Sequence, residues 1–282
     1  MSGNGGLVIP WTIQKQNQDG KEPLSDLVAV EEPLQIQLEY EKYGEWHRND
    51  LLVTMRSPGQ DFDLVMGFLF AEGIIHQEKD VLWMRYCQRV KPEEKGNVVR
   101  VRLIPDLVFD PGKLNRNFFA HSSCGVCGKT AIVAVSFEAA GLPFHSDRKI
   151  SAETVRSLAQ KLDTEQTGFN YTGGLHAAAL YEDTGDLLLL REDVGRHNAL
   201  DKLIGAGLRQ GINLRENKVV LLSGRVSFEM VQKAVNAGIQ ILVALGAPTS
   251  LAVRLAKEKN QTLIGFLKKD RFNIYCGEKR IK

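Results

Sequence analysis

Val219-Val-Leu-Leu-Ser-Gly-Arg-Val-Ser-Phe-Glu-Met-Val-Gln-Lys-Ala-Val-Asn-Ala-Gly-Ile-Gln-Ile-Leu-Val-Ala-Leu245 contains a strand, a helix and a second strand. Val219–Ser223 is an apolar run, Val226–Ala237 has helix length and is closed by Gly238, and Ile239–Leu245 is apolar again. Apolar strands of this kind, linked by a helix, are expected to pair in parallel with both faces covered. The same grammar continues on either side. A helix is expected from about Val194 to Arg209, and a helix over Pro248–Lys259 leads to a strand over Thr262–Leu267. Three such βα units predict a largely parallel α/β sheet with helices on both faces.

Upstream of these units, Gly174–Tyr181 and Asp186–Arg191 flank a Glu-Asp-Thr-Gly turn and read as a hairpin. Ser151 can cap a helix whose Val155, Leu158 and Leu162 form one stripe, with Glu153 favourable in the first turn. Nearer the N-terminus, Leu34, Ile36, Leu38 and Tyr40 alternate with polar residues, so one face of a strand points inward. Leu51–Met55, Leu82–Cys87 and Val98–Leu103 read as further strands. Ser57-Pro58-Gly59 interrupts them, and Phe62, Val65, Met66 and Leu69 recur at helical spacing until Gly73. The expected organisation is a flexible tail over residues 1–30, a small α+β subdomain over 31–115, and an α/β domain over 116–282. Residues 1–30 show no sustained period.

In open α/β sheets the ligand crevice lies beyond the carboxyl ends of the strands. Four polar segments fall there: Arg191–His197, Ser223–Arg225, Gly246–Ser250 and Phe266–Arg271. Each alone is an ordinary loop with a surface cation. Several in register, with helix N-termini among them, predict a rim that would take the phosphates of a nucleotide-like anion. Asp193-Val-Gly-Arg196-His197 gathers acid, base and cation at a helix start, although Asp193 can also serve as a cap.

His121-Ser-Ser-Cys124-Gly-Val-Cys127-Gly128 holds two of only four cysteines. Glycines and hydroxyls around a thiol suit an ionisable, reachable sulfur better than a packed one. A metal clip, a dithiol redox pair and a sulfur nucleophile are the three readings. A zinc deaminase needs an H-x-E element before the cysteines; here His121 is followed by Ser122-Ser123, and His176 comes after the pair and precedes Ala-Ala. Structural zinc needs four ligands, and Cys87 and Cys276 lie far from the pair, so His121 or His145 would have to complete such a site in space. A thioredoxin-type pair would open a helix after a strand, which Gly125 and Gly128 disfavour. His176 reads as a core histidine, and Cys87 and Cys276 as packing thiols.

At 282 residues, with 43% apolar and 25% charged residues, the chain can bury a sizeable core. The net charge of +2 gives no global field for nucleic acid, although nine basic residues against three acidic follow Leu251. A leader peptide and an apolar run of membrane-span length are both missing from the sequence, so a cytoplasmic location away from membranes is expected.

The chain resembles the FdhD family, the formate dehydrogenase accessory sulfurtransferases. The resemblance rests on Ser123-Cys-Gly-Val-Cys-Gly128, Thr172-Gly-Gly-Leu-His176, Glu192-Asp-Val-Gly-Arg-His-Asn-Ala-Leu-Asp-Lys202, the segment Ser223–Lys233 and the segment Gly265–Tyr275. It implies a cytidine-deaminase-like three-layer sheet. It also implies a relay in which persulfide sulfur from a cysteine desulfurase passes to the bis(molybdopterin guanine dinucleotide) cofactor required by formate dehydrogenase. By motif, Cys124 would hold the persulfide and Cys127 would assist transfer. Phe266, Leu267, Lys268, Lys269, Asp270 and Arg271 match the family's cofactor-binding stretch. Ser223, Arg225 and His197 are expected beside it, with GDP as a mimic. Expected partners are the desulfurase, the formate dehydrogenase catalytic subunit and a second copy of the chain; no structural metal is expected.

Overall fold

The computed structural model describes residues 6–18, 20–105, 107, 143–144, 148–216 and 218–282. Cys124 and Cys127, with His121 and His145, lie outside these residues. The elements are β1 (Val8–Asn17), β2 (Gly20–Ala29), β3 (Glu32–Lys42), β4 (Glu45–Arg56), α1 (Asp61–Ala71), β5 (Val81–Tyr86) and β6 (Val98–Leu103). After them come α2 (Ala152–Glu165), α3 (Thr167–Thr172), β7 (His176–Glu182), β8 (Leu187–Asp193), α4 (Arg196–Arg209), β9 (Lys218–Leu222) and α5 (Phe228–Asn236). The chain closes with β10 (Ile241–Ala244), α6 (Ser250–Glu258), β11 (Thr262–Gly265) and β12 (Asn273–Cys276). No helix among the described residues is long and apolar enough to cross a membrane.

The larger sheet has the order β12-β11-β10-β9-β7-β8. It is mixed, where the sequence predicts a largely parallel one. β9, β10 and β11 pair in parallel, but β7, β8 and β12 run antiparallel to their neighbours. β12 escaped the sequence reading because Asn273–Cys276 is short and half of it is exposed, as an edge strand can be. Alternate residues of the central strands serve two cores. Ala178, Leu180, Val220, Leu222, Leu242 and Leu263 face α4, α5 and α6 through Leu200, Leu203, Val231 and Leu255. Ala179, Tyr181, Val219, Leu221, Ile241 and Ile264 face α2 through Val155, Leu158 and Leu162. The result is three layers. Ser151 caps α2 as expected, accepting from the Thr154 amide at 2.9 Å.

The smaller sheet, β4-β3-β6-β5, lays Leu34, Ile36, Leu38, Val99 and Val101 against Leu64, Val65 and Leu69 of α1. Residues 8–29, expected as a flexible tail, instead form a β1–β2 hairpin in continuous antiparallel register from Val8↔Ala29 to Asn17↔Gly20. Both of its faces are largely exposed, so no apolar alternation marks it in the sequence.

The two sheets are joined through α1, which the smaller sheet covers on one side and α4 on the other. Two glycines permit the crossing. A Cβ on Gly67 would stand 1.8 Å from the Asp201 carbonyl oxygen, and one on Gly205 would stand 1.9 Å from that of Asp63. Only hydrogen fits at either position. Gly205→Ala is therefore expected to separate the helices and lower stability by about 3 kcal/mol, read as a fall in the urea midpoint; a midpoint equal to that of wild type contradicts this packing.

Candidate functional site

Antiparallel β7 and β8 place the start of one and the end of the other at the carboxyl edge of β9, β10 and β11. His176 pairs with Asp193 there, and the Ser223 amide donates to the Ala177 carbonyl at 3.0 Å. The Ser223 hydroxyl accepts from the Ala177 amide at 2.8 Å, so this predicted site residue also ties two strand tips together. The loops beyond the strands stack through their backbones. The Val226 amide donates to the Ala247 carbonyl at 3.0 Å, and the Phe266 amide to the Gly246 carbonyl at 3.1 Å. A Cβ on Gly246 would lie 2.7 Å from the Gly224 oxygen, so glycine is required for the tips to close up.

The rim so formed is cationic. Arg225, Lys268, Lys269, Asp270 and Arg271 are all exposed. The Lys268 amide donates to the Arg271 carbonyl at 2.8 Å, closing a tight turn whose side chains project outward. Arg271 and Asp270 approach to 3.6 Å with both side chains about three-quarters exposed, an ion pair of little energetic weight. Phe266 holds φ at +54° and is 44% exposed. A bulky residue in the left-handed region costs of order 1 kcal/mol or more. Leu267 differs from its predicted neighbours: it is fully buried in the core facing α2.

His197 lies at the edge of the rim, its Nε2 3.2 Å from Ser227 Oγ and 3.2 Å from Glu229 Oε2. The sequence offered no sign of Glu229, since a glutamate in a first helical turn reads as a dipole partner. His176 is half-buried beside Gly224. Burial, then Arg196 and His197, push its pKa below the ordinary histidine value, so it is neutral at pH 7.

Most of the segment Glu192–Lys202 supports the rim from below. Lys202 and Asp193 are both fully buried and 2.7 Å apart. Asp193 also accepts from the Ser57 amide at 3.2 Å and the Gly195 amide at 2.8 Å, and Lys202 donates to the Ser57 carbonyl at 2.9 Å. Glu192 accepts from the Gly168 and Phe169 amides at 2.9 and 2.8 Å, at the start of α3. Asn198 donates to the Met55 carbonyl at 2.8 Å. Cys87 and Cys276 are buried and free, and burial pushes the Cys276 thiol up. Among the described residues no group of three or more His, Cys, Asp or Glu side chains is placed to hold a metal ion.

A sulfur carrier protein FdhD from Streptomyces avermitilis is 44% identical over 259 residues, spanning 91% of this chain and 89% of that protein. The protein of the same name from Mycobacterium tuberculosis is 42% identical over 261 residues, spanning 91% and 92%. That from Saccharolobus solfataricus is 40% identical over 257 residues, spanning 91% of each. A crystal structure described as a formate dehydrogenase accessory protein from Desulfotalea psychrophila shares the fold, with a TM-score of 0.73 over 98% of this chain and all of that one, at 23% identity. The FdhD/NarQ family matches residues 29–282, from the end of the hairpin through both sheets to the last residue. The chain, with its glycine-stacked strand tips and the buried seam beneath them, belongs to the FdhD/NarQ family.

Proposed function

We propose that this protein is a sulfurtransferase that accepts persulfide sulfur from a cysteine desulfurase and delivers it to the bis(molybdopterin guanine dinucleotide) cofactor destined for formate dehydrogenase. The observation that carries the reading is identity above 40% to named sulfur carriers over nine-tenths of the chain. The Ser123–Gly128 motif and the cationic rim supply the two chemistries such a carrier needs. The reading also places the protein in the cytoplasm as a homodimer, serving the formate dehydrogenase catalytic subunit, on a sheet of the cytidine-deaminase kind.

Sulfane sulfur moves when a thiolate attacks the outer sulfur of a persulfide and the inner sulfur leaves as a thiolate. Cys124 is the acceptor and then the donor in this reading, and Cys127 assists release. Loading keeps the transferred atom at the sulfane level; its release as sulfide takes two electrons from the Cys124 and Cys127 thiolates, which close a disulfide as the sulfide leaves. The large anionic substrate is held by what the rim offers. Arg225, Lys268, Lys269 and Arg271 face water, with the first three making no side-chain ion pair or hydrogen bond to another described residue. Phe266 presents an aromatic face beside them, and stacking on such a face is worth about 1–3 kcal/mol per base.

Cys124→Ser is expected to abolish sulfur loading while the urea midpoint stays that of wild type. Mass spectrometry with persulfide-specific labelling, after incubation with a desulfurase and cysteine, checks this. A protein that only shelters the cofactor would show no adduct on Cys124 even as wild type. Combined replacement of Arg225, Lys268, Lys269 and Arg271 by Ala is expected to weaken GDP binding at least tenfold, about 1.4 kcal/mol, with superimposable titrations counting against the rim. Phe266→Gly is expected to relieve the left-handed strain, so it unfolds no earlier than wild type in urea yet binds GDP more weakly. Earlier unfolding at unchanged affinity would assign Phe266 to packing.

A further inference from the structure

The β1–β2 hairpin stands on the rest of the protein as an arm. Its foot packs on α3, where Ala29 adjoins Gly174, and most of both strands is exposed. A two-stranded hairpin without a covered face is marginal in water, yet the register here runs unbroken from Val8↔Ala29 to Asn17↔Gly20. Residues directly opposite share a face, so Ile9 with Val28, Trp11 with Asp26 and Ile13 with Leu24 lie on one side. Trp11 is 58% exposed and Leu24 44%. Phe169 and Tyr171 of α3, the helix at the foot, are exposed as well.

The edges of the arm are closed to a further strand. The Val30 amide donates to the Leu7 carbonyl at 2.9 Å, so these two form a hydrogen-bonded pair. By alternation the pairs Pro10↔Leu27 and Gln14↔Pro23 turn their backbone groups outward. Pro10 and Pro23 offer no N–H there, and the Leu27 amide is taken by the Asp26 carboxylate at 2.8 Å. Prolines and charges on an edge keep one sheet from zipping onto another. A partner therefore meets the face of the arm, not its edge. Lys15 and Lys21 balance Glu22 and Asp26, so no net charge selects an acidic or a basic protein. Two such faces laid together make four strands around one apolar layer, past the three that a small sheet needs. A standard interface takes about 20–30 residues a side; the strands supply 10 each, and α3 adds its two aromatics.

We propose that the apolar face of the β1–β2 arm is the surface on which two copies of this chain associate, face to face about a two-fold axis. A two-fold lets one patch serve both sides, so one arm per chain suffices and neither is left bare. Trp11, at the centre of the patch, is its aromatic anchor. The homodimer is part of the sulfur-carrier reading, and this role of the arm rests on it; the arm supplies the interface.

Sedimentation velocity of the full chain over a concentration series tests this. Wild type is expected to sediment as a dimer. Trp11→Lys keeps the hairpin, since a lysine opposite Asp26 suits an isolated pair of strands, but it removes the anchor and sets a charge in the interface. It is expected to raise the dimer Kd by about thirtyfold or more, with the urea midpoint of the monomer unchanged. A monomeric wild type overturns the proposal. A Trp11→Lys protein as dimeric as wild type also overturns it, while leaving the homodimer of the functional reading intact on another surface. Hydrogen exchange of wild type gives the same answer without a variant: the amides of Val8–Asn17 and Gly20–Ala29 are expected to exchange faster as dilution separates the copies, and rates independent of dilution overturn the role. None of these measurements needs sulfur transfer, so absence of a persulfide on Cys124 strikes the functional reading alone.

Discussion

The ion pair between Asp193 and Lys202 is the contact that fixes everything above it. Both side chains are removed from water, and each is met by further partners. Taking two such charges out of water costs several kcal/mol apiece, and removing either one would leave the other stranded, a loss of about 3–5 kcal/mol. What the pair provides is position. It joins the end of β8, the first turns of α4 and the Ser57-Pro58-Gly59 loop of the smaller subdomain. Three segments far apart in sequence are thereby held beneath one rim.

A second layer of buried charge follows the same plan. Asp61 takes two bonds from Arg56, at 3.0 and 2.9 Å, and one from the Tyr86 hydroxyl at 3.0 Å. Asp63 takes Arg191 at 3.0 Å and is also paired with Arg209. These carboxylates lie at the N-terminus of α1, where the helix dipole favours them. The buried cations are used up in fixing geometry, and the exposed ones at the strand tips remain available to a ligand.

Sequence alone made the regular elements legible wherever an apolar period survived folding. Val155, Leu158 and Leu162 marked α2, and Leu34, Ile36 and Leu38 marked β3. It failed where burial follows no period. The β1–β2 hairpin exposes both faces, and α3 is a single turn and a half held by Glu192 from another element. The place of the four polar segments at the strand tips was legible, because it follows from topology. Individual roles were harder to read. Glu192, Asp193, Asn198 and Lys202 have the polarity of a reaction centre, yet burial assigns them to the seam. Leu267 lies within a stretch of exposed cations but turns inward. Arg196 lies beside Gly224 at a strand tip and His197 lies nearby, and the partners of His197, Ser227 and Glu229, come from a different helix, which no local pattern can announce.

The glycine crossing of α1 and α4 has a consequence for how this polypeptide can change over time. Because one helix is lined on both flanks, it is interior to both halves at once, and neither half owns it. Splitting the gene between the halves would leave one fragment with an open groove and the other with a naked helix. Fission and shuffling are therefore closed routes, and the two lobes are bound to be inherited together.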